Sequence, residues 1–167
     1  MAGDVRIETA TVHDVPLLLS LIRALAEYER MSNAVVATEA SLRDSLFGTT
    51  PCAEAAIAHV DREAVGFALW FQNYSTFLAK PGLYLEDLFV LPDWRGRGVG
   101  AALLRHLARI ALERDYGRME WSVLNWNEPA IGFYRRIGAR PMDEWTVYRL
   151  AGDDLRRLAT SLSLEKS

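Results

Sequence analysis

The order of apolar and polar residues predicts a mixed α/β sheet with helices on both faces. Three observations carry this. Residues 54–74 are strand-like and broken once, at Asp61-Arg62, which reads as an antiparallel hairpin. A strand, a glycine-rich turn and a long amphipathic helix follow one another from Tyr84 to about residue 115. A further apolar strand comes directly after that helix, so residues 84–124 form a β-α-β crossover with a parallel pair.

Each element has its own signal. Residues 5–8 (Val-Arg-Ile-Glu) form a short first strand, and Thr9 to Thr11 turn the chain. A helix spans roughly 14–30, with Val15, Leu18, Leu19, Ile22, Leu25, Ala26 and Met31 as its apolar stripe. Thr38 caps a second short helix through Leu42 and Leu46, closed by Gly48. Glu54 to Val60 and Ala64 to Tyr74 are the hairpin strands. Asn73 to Gly82 reads as a loop, with Pro81-Gly82 as its turn signal. The strand at 84–91 is stopped by Pro92-Asp93, and the helix at 98–115 is broken at Tyr116-Gly117. Met119 to Leu124 is the next strand. Asn127 caps a short helix that carries Pro129 in its first turn and stops at Gly138. A strand at 144–150 and a terminal helix from about Asp153, with Leu155, Leu158 and Leu162 on one face, complete the chain.

Composition bounds the rest. The 167 residues are one domain's length, so residues 1–167 are expected to form a single domain. Net charge is −3, which speaks mildly against nucleic acid and admits a cationic substrate. No apolar run reaches membrane-spanning length, and the start lacks the basic and apolar regions of a secretory signal. A cytoplasmic protein with no membrane partner is the expectation. Cys52 is the only cysteine, which excludes an intrachain disulfide and a clustered thiolate metal site. His13, His59 and His106 are scattered without ligand spacing, so no metal is expected.

The informative stretch is Tyr84 to Leu104. Glu86 and Asp87 sit inside an apolar strand, and Gly96, Gly98 and Gly100 alternate with Arg95, Arg97 and Val99. Glycines entering a helix let an anion approach unpaired backbone N–H groups and the positive end of the helix dipole. The spacing is not that of a P-loop, and Leu103 breaks the dinucleotide pattern Gly-x-Gly-x-x-Gly. Taken alone, the same residues also suit an ordinary strand-turn-helix packed through glycine.

Arg95-x-x-Gly98-x-Gly100, so placed, resembles the pyrophosphate motif of the GNAT superfamily of acetyl-CoA-dependent N-acetyltransferases. Asn127-x-x-Ala130-x-x-x-Tyr134-x-x-x-Gly138-Ala139 resembles that superfamily's second feature. Tyr28-Glu29, Tyr84 to Asp87, Trp126 to Pro129 and Phe133-Tyr134 narrow the likeness to the spermidine/spermine (diamine) N-acetyltransferase family, over roughly 5–150. The resemblance implies the GNAT fold, whose strands matching 84–91 and 119–124 splay apart and hold the pantetheine arm in the gap. It implies acetyl-CoA held by backbone at Leu88, Phe89 and Val90 and at Arg95, Gly96, Arg97, Gly98, Val99 and Gly100, and by Asn127. It implies Tyr134 beside the CoA sulfur as general acid, and Tyr28, Glu29 and Glu86 around the amine. A late acidic substrate residue of the family aligns with Glu144, where this chain has a shorter loop. Such relatives usually pair through their carboxy-terminal strands, so a homodimer is expected. Close relatives use other amines, including thialysine, so the acceptor stays open between a polyamine or diamine and a lysine-like amine.

The chemistry follows from the groups. An alkylammonium of pKa about 10.4 leaves about one amine in 2,500 neutral at pH 7, a cost of roughly 4.6 kcal/mol on the barrier. Glu86 is the candidate base, directly or through water. An acid in an apolar strand is costly to bury unpaired, which favours this role over that of a solvated carboxylate. Asp87 points to the opposite face unless a bulge intervenes, and reads as structural. A backbone N–H near Leu88 to Val90 suits the developing oxyanion, and Tyr134 can donate to the leaving thiolate. Attack is then direct, through a ternary complex. Cys52 has no neighbouring histidine and offers no covalent route. Most tyrosines are core residues and most helix-end charges are solvated, so only the resemblance raises Tyr134, Tyr28 and Glu29. The five tryptophans read as packing residues, with Trp70 and Trp145 the two suited to an amine channel. Two other activities share this architecture: acetylation of protein amines, and acyl-CoA binding without turnover.

Overall fold

The hairpin forms with the predicted turn. In the computed structural model, which describes residues 4–160, β2 (Glu54–Val60) and β3 (Glu63–Ser75) meet at Asp61 and Arg62, with φ of 48° and 73°. Two left-handed residues in a two-residue loop match the twist of the strands. β1 (Val5–Thr9) pairs antiparallel with β2, and β4 (Lys80–Val90) antiparallel with β3. β5 (Met119–Trp121) runs parallel to β4 after the crossover through α3 (Val99–Glu113). The order is β1-β2-β3-β4-β5, the mixed sheet expected.

The chain divides into two compact units at Ser122/Val123, and the sheet lies in the first. On one face α1 (Val15–Tyr28) and α2 (Glu39–Phe47) pack Leu18, Leu19, Leu25, Leu42 and Leu46 against Ile57, Phe67 and Phe89. On the other α3 buries Val99, Leu103, Leu104, Leu107 and Ala111. Trp70, three residues after Phe67 and so on the opposite face of β3, meets His106 of α3 edge-on at 6.5 Å. Each fully buried leucine contributes about 2 kcal/mol of transfer free energy.

Helix ends explain one departure. Arg30 takes φ 60°, its N–H bonds to Glu27 O at 3.0 Å, and Met31 N–H bonds to Ala26 O at 2.7 Å. This is a Schellman stop, so α1 ends before Met31, which is exposed, and Leu21 is buried in the stripe instead. α2 starts as expected, with Thr38 accepting from Ser41 N–H at 3.1 Å. The predicted loop at 73–82 shrinks to residues 76–79. Pro81 and Gly82 lie inside β4, opposite Tyr74 and Asn73. A Cβ at Gly82 would stand 2.5 Å from Asn73 Oδ1, so this glycine permits close strand approach rather than a turn.

In the second unit, Asn127 Oδ1 accepts from Ala130 N–H at 3.4 Å and caps α4 (Glu128–Arg136). Gly138, at φ 88°, ends α4 with bonds from Gly138 N–H to Arg135 O and from Ala139 N–H to Tyr134 O. α5 (Gly152–Thr160) follows with Leu155 and Leu158 exposed, and Leu162 lies outside the described residues. The predicted strand at 144–150 is not formed. A strand needs a ladder partner, and residues 144–150 have none among the described residues, with Val147 and Tyr148 exposed. β5 likewise stops at Trp121 rather than reaching Leu124.

Candidate active site

One irregularity in β4 organises the site. Gly66↔Val90, Phe67↔Phe89, Ala68↔Leu88 and Leu69↔Asp87 pair in register, but the next pair is Trp70↔Leu85. Glu86 has no opposite residue, which makes it the extra residue of a β-bulge. Leu85 therefore shares the α3 face with Trp70. Asp87 shares the α1 face with Leu69, Phe67 and Phe89. Unbroken alternation from Leu85 would have turned Asp87 toward α3. The bulge thus turns Asp87 to the α1 face, away from the face that plain alternation gives it, and within the field of Glu86 and Glu29. Burial, and then the charges of Glu86 and Glu29, push the Asp87 carboxyl from 3.8 up to about 6. Glu29, the last residue capping α1, is also raised, by burial. Glu86 itself is exposed, so the burial cost that favoured it over a solvated carboxylate does not apply, and its candidacy rests on its place beside Asp87. Asp87 is the functional candidate that sequence reasoning passed over. Its signal was present in the two adjacent acids of an otherwise apolar strand.

The other edge of β4 is open where these acids lie. The parallel ladder runs from Leu83↔Met119 to Leu85↔Trp121 and ends, while β4 continues to Val90. Among the described residues, no strand pairs with residues 86–90 on that side. At the fork, Tyr84 and Ser122 share a hydroxyl hydrogen bond of 2.9 Å, and Phe71 lies 5.1 Å from the Tyr84 ring. Leu88, Phe89 and Val90, which the resemblance assigns to CoA, lie on this stretch, where Arg95 already occupies the Val90 carbonyl.

Beyond β4 a 3-10 turn at Pro92–Trp94 leads to Gly96 and Gly98, at φ 73° and 86°. No heavy atom lies within 4 Å of a Cβ built at either, so backbone conformation, not crowding, calls for glycine there. Gly98 caps α3, whose first intrahelical bond runs from Ala102 N–H to Gly98 O at 2.9 Å. The N–H groups of Val99, Gly100 and Ala101 have no acceptor four residues back within the helix. These are the backbone donors that the phosphate reading of the turn requires. Arg97 lies over the Trp94 ring at 5.0 Å. Arg95 turns the other way. Its N–H bonds Pro92 O, its Nε donates to Val90 O at 2.9 Å, and its guanidinium lies 4.1 Å over the Tyr28 ring.

Asn127, Tyr134 and Glu144 belong to the second unit. The Asn127 side chain caps α4, and Tyr134 packs on Phe133 with ring centroids 5.6 Å apart. Glu144 is exposed in a turn. Trp70 is 2% exposed on the α3 face, away from Asp87, so it does not line an amine channel there. Cys52 is exposed. Among the described residues, no group of three His, Cys, Asp or Glu side chains is arranged to hold a metal ion, and no helix is long and apolar enough to cross a membrane.

Known proteins resemble this chain over most of its length. Residues 21–139 match the family model described as "Acetyltransferase (GNAT) family". A thialysine N-epsilon-acetyltransferase of Bos taurus is 36% identical over 93% of this chain and 97% of its own. An L-ornithine N5-acetyltransferase of Arabidopsis thaliana is 33% identical over 92% of this chain and 87% of its own. Among solved structures, an integron cassette protein from the mobile metagenome of V. cholerae superposes with TM-score 0.80 and 29% identity, over 94% of this chain and 98% of its own.

Proposed function

The chain belongs to the acetyltransferase (GNAT) family, and within it we propose that the protein acetylates a primary amine of a small diamine, polyamine or lysine-like amino acid by direct attack in a ternary complex with acetyl-CoA. The observation that carries this reading is the bulge. It sets Glu86 and Asp87, with Glu29 near enough to act on Asp87, where β4 continues past the end of β5. Burial, and then the charges of Glu86 and Glu29, raise the Asp87 carboxyl, so a cation beside these acids is favoured, and a diamine supplies a second charge for a second acid. The names of the relatives, acting on ornithine and thialysine, describe amines of this kind.

The open edge at 86–90 and the glycine turn fit acetyl-CoA. Leu88 to Val90 offer backbone groups to the pantetheine amides, and Gly96 to Gly100 offer N–H groups and the helix dipole to the pyrophosphate. When bound, acetyl-CoA supplies an activated acyl carbon and a thiol leaving group. Glu86 takes the ammonium proton, directly or through one water. Asp87 and Glu29 hold the cation before that transfer. A backbone N–H of the open edge stabilises the charge that develops on the carbonyl oxygen. Tyr134 donates to the departing sulfur, a transfer uphill by roughly 2 kcal/mol from phenol to thiol pKa values. We also take the protein to be a cytoplasmic homodimer.

The test is thiol release from acetyl-CoA with spermidine, L-ornithine, thialysine and a lysine peptide, for wild type and Glu86→Gln. Turnover is expected with the small amines. Without Glu86, the rate climbs about tenfold per pH unit until the amine titrates near 10, because only the rare neutral amine reacts. Turnover confined to the peptide, or a Glu86→Gln profile identical to wild type, contradicts the reading.

A further inference from the structure

Arg95 belongs by sequence to the phosphate motif, yet its side chain turns away from the glycine turn. Its Nε donates to Val90 O at 2.9 Å, and its Cζ stands 4.1 Å from the Tyr28 ring and 5.6 Å from the Phe89 ring. Those two rings are 6.5 Å apart, one at the end of α1 and the other near the end of β4. The guanidinium thus ties the last turn of α1 to β4, two residues beyond Asp87. Glu29 directly follows the tyrosine it covers. In the chain, Gly96 directly follows Arg95. One residue is therefore joined covalently to the phosphate-binding turn and by contact to the amine end of the site.

We propose that Arg95 is a positioning residue for the amine subsite, coupling occupancy of the glycine turn to the placement of Tyr28 and Glu29. A phosphate held by the N–H groups of residues 96–100 fixes the turn and hence the base of the Arg95 side chain. The side chain holds the Tyr28 ring, and that ring sets where the Glu29 carboxylate stands. Binding coupled in this way is reciprocal, so amine affinity rises when the turn is filled and cofactor affinity rises when amine is bound. A planar guanidinium can stack on an aromatic face while donating in its own plane, which an ammonium cannot reproduce.

The proposal rests on the amine acetyltransferase reading, and calorimetry separates the two. The probe is whichever of spermidine, L-ornithine and thialysine the wild type acetylates fastest, titrated with and without free CoA, which allows no turnover. Wild type is expected to bind the amine about fivefold tighter with CoA present. Arg95→Met brings that ratio to about one and raises the amine KM about fivefold, with CoA affinity changed less than threefold. Arg95→Lys gives the same loss of coupling. Tyr28→Phe, which keeps the ring, keeps the ratio, and Tyr28→Leu abolishes it with no further loss in the double variant with Arg95→Met. A ratio of one in wild type overturns the proposal. So does a preserved ratio in both folded Arg95 variants, or a loss confined to CoA affinity, which would make Arg95 a phosphate ligand. Wild type that acetylates none of the amines overturns the broader reading instead.

Discussion

Asp87 costs stability at the place where we propose that it holds the amine. Its folded pKa of about 6 lies above its ordinary 3.8. The folded chain therefore carries an unfavourable charge at pH 7. That burden lifts as pH falls through about 6 and is gone below about 4, where the carboxyl is neutral folded or unfolded. Asp87→Asn is expected to raise Tm at pH 7.5 by a few degrees, since about 1 kcal/mol is worth roughly 2–4 °C in a chain of this size. The advantage should vanish by pH 4, and activity toward cationic amines should fall. Thermal scans at both pH values decide it, and a Tm below wild type at pH 7.5 would mean that the charge is paired. Tyr134 is a different case. If its proton is needed only as sulfur leaves, Tyr134→Phe lowers kcat about a hundredfold and barely changes acetyl-CoA affinity. Unchanged single-turnover rates would leave it as packing for Phe133.

At the scale of elements, the glycine turn and the bulge do the arranging. Gly98→Val meets no neighbouring atom, but φ 86° is costly for a β-branched residue. The turn relaxes and its N–H groups no longer converge. Calorimetry should show CoA binding weakened at least tenfold while circular dichroism stays that of the folded protein. Wild-type affinity would remove the phosphate from this turn. The turn was legible in the sequence because alternate glycines between a strand and an amphipathic helix mark left-handed backbone there. So were the hairpin at Asp61-Arg62 and the caps at Thr38, Asn127 and Gly138, since each depends on residues close in sequence. The bulge was not legible. Whether Glu86 or Asp87 lacks a partner depends on how β3 lies beside β4, and register is a long-range property. For the same reason Pro81-Gly82 read as a turn. Nothing local says that Asn73 will crowd the opposite strand. Met31 continued the helical stripe on paper, but Arg30 had already left the helix.

At the scale of the molecule, the first unit carries the sheet, the three acids and the glycine turn, and the second carries Asn127, Tyr134 and Glu144. The second was the harder to read. Residues 144–150 have the apolar content of a strand, and content without a ladder partner forms none. Trp145, Val147, Tyr148 and Leu150 are left exposed. With the homodimer we propose, these side chains supply a reason for two copies to associate. Sedimentation at micromolar concentration is expected to give twice the mass of the 18.8 kDa chain, and Val147→Asp with Tyr148→Asp to halve it. A monomer in wild type contradicts it.

The fork between β4 and β5 also makes the protein its own indicator of occupancy. Amides of residues 87–90 that point to β3 are expected to exchange slowly with deuterated solvent at all times, and the alternate ones, on the edge that β5 abandons at Trp121, to exchange fast. A pantetheine arm lying there slows only that fast set. The expected signature of cofactor binding is therefore an every-other-residue pattern of new protection along residues 87–90, readable by NMR without any turnover, and uniform slowing of the whole strand would point to general tightening instead.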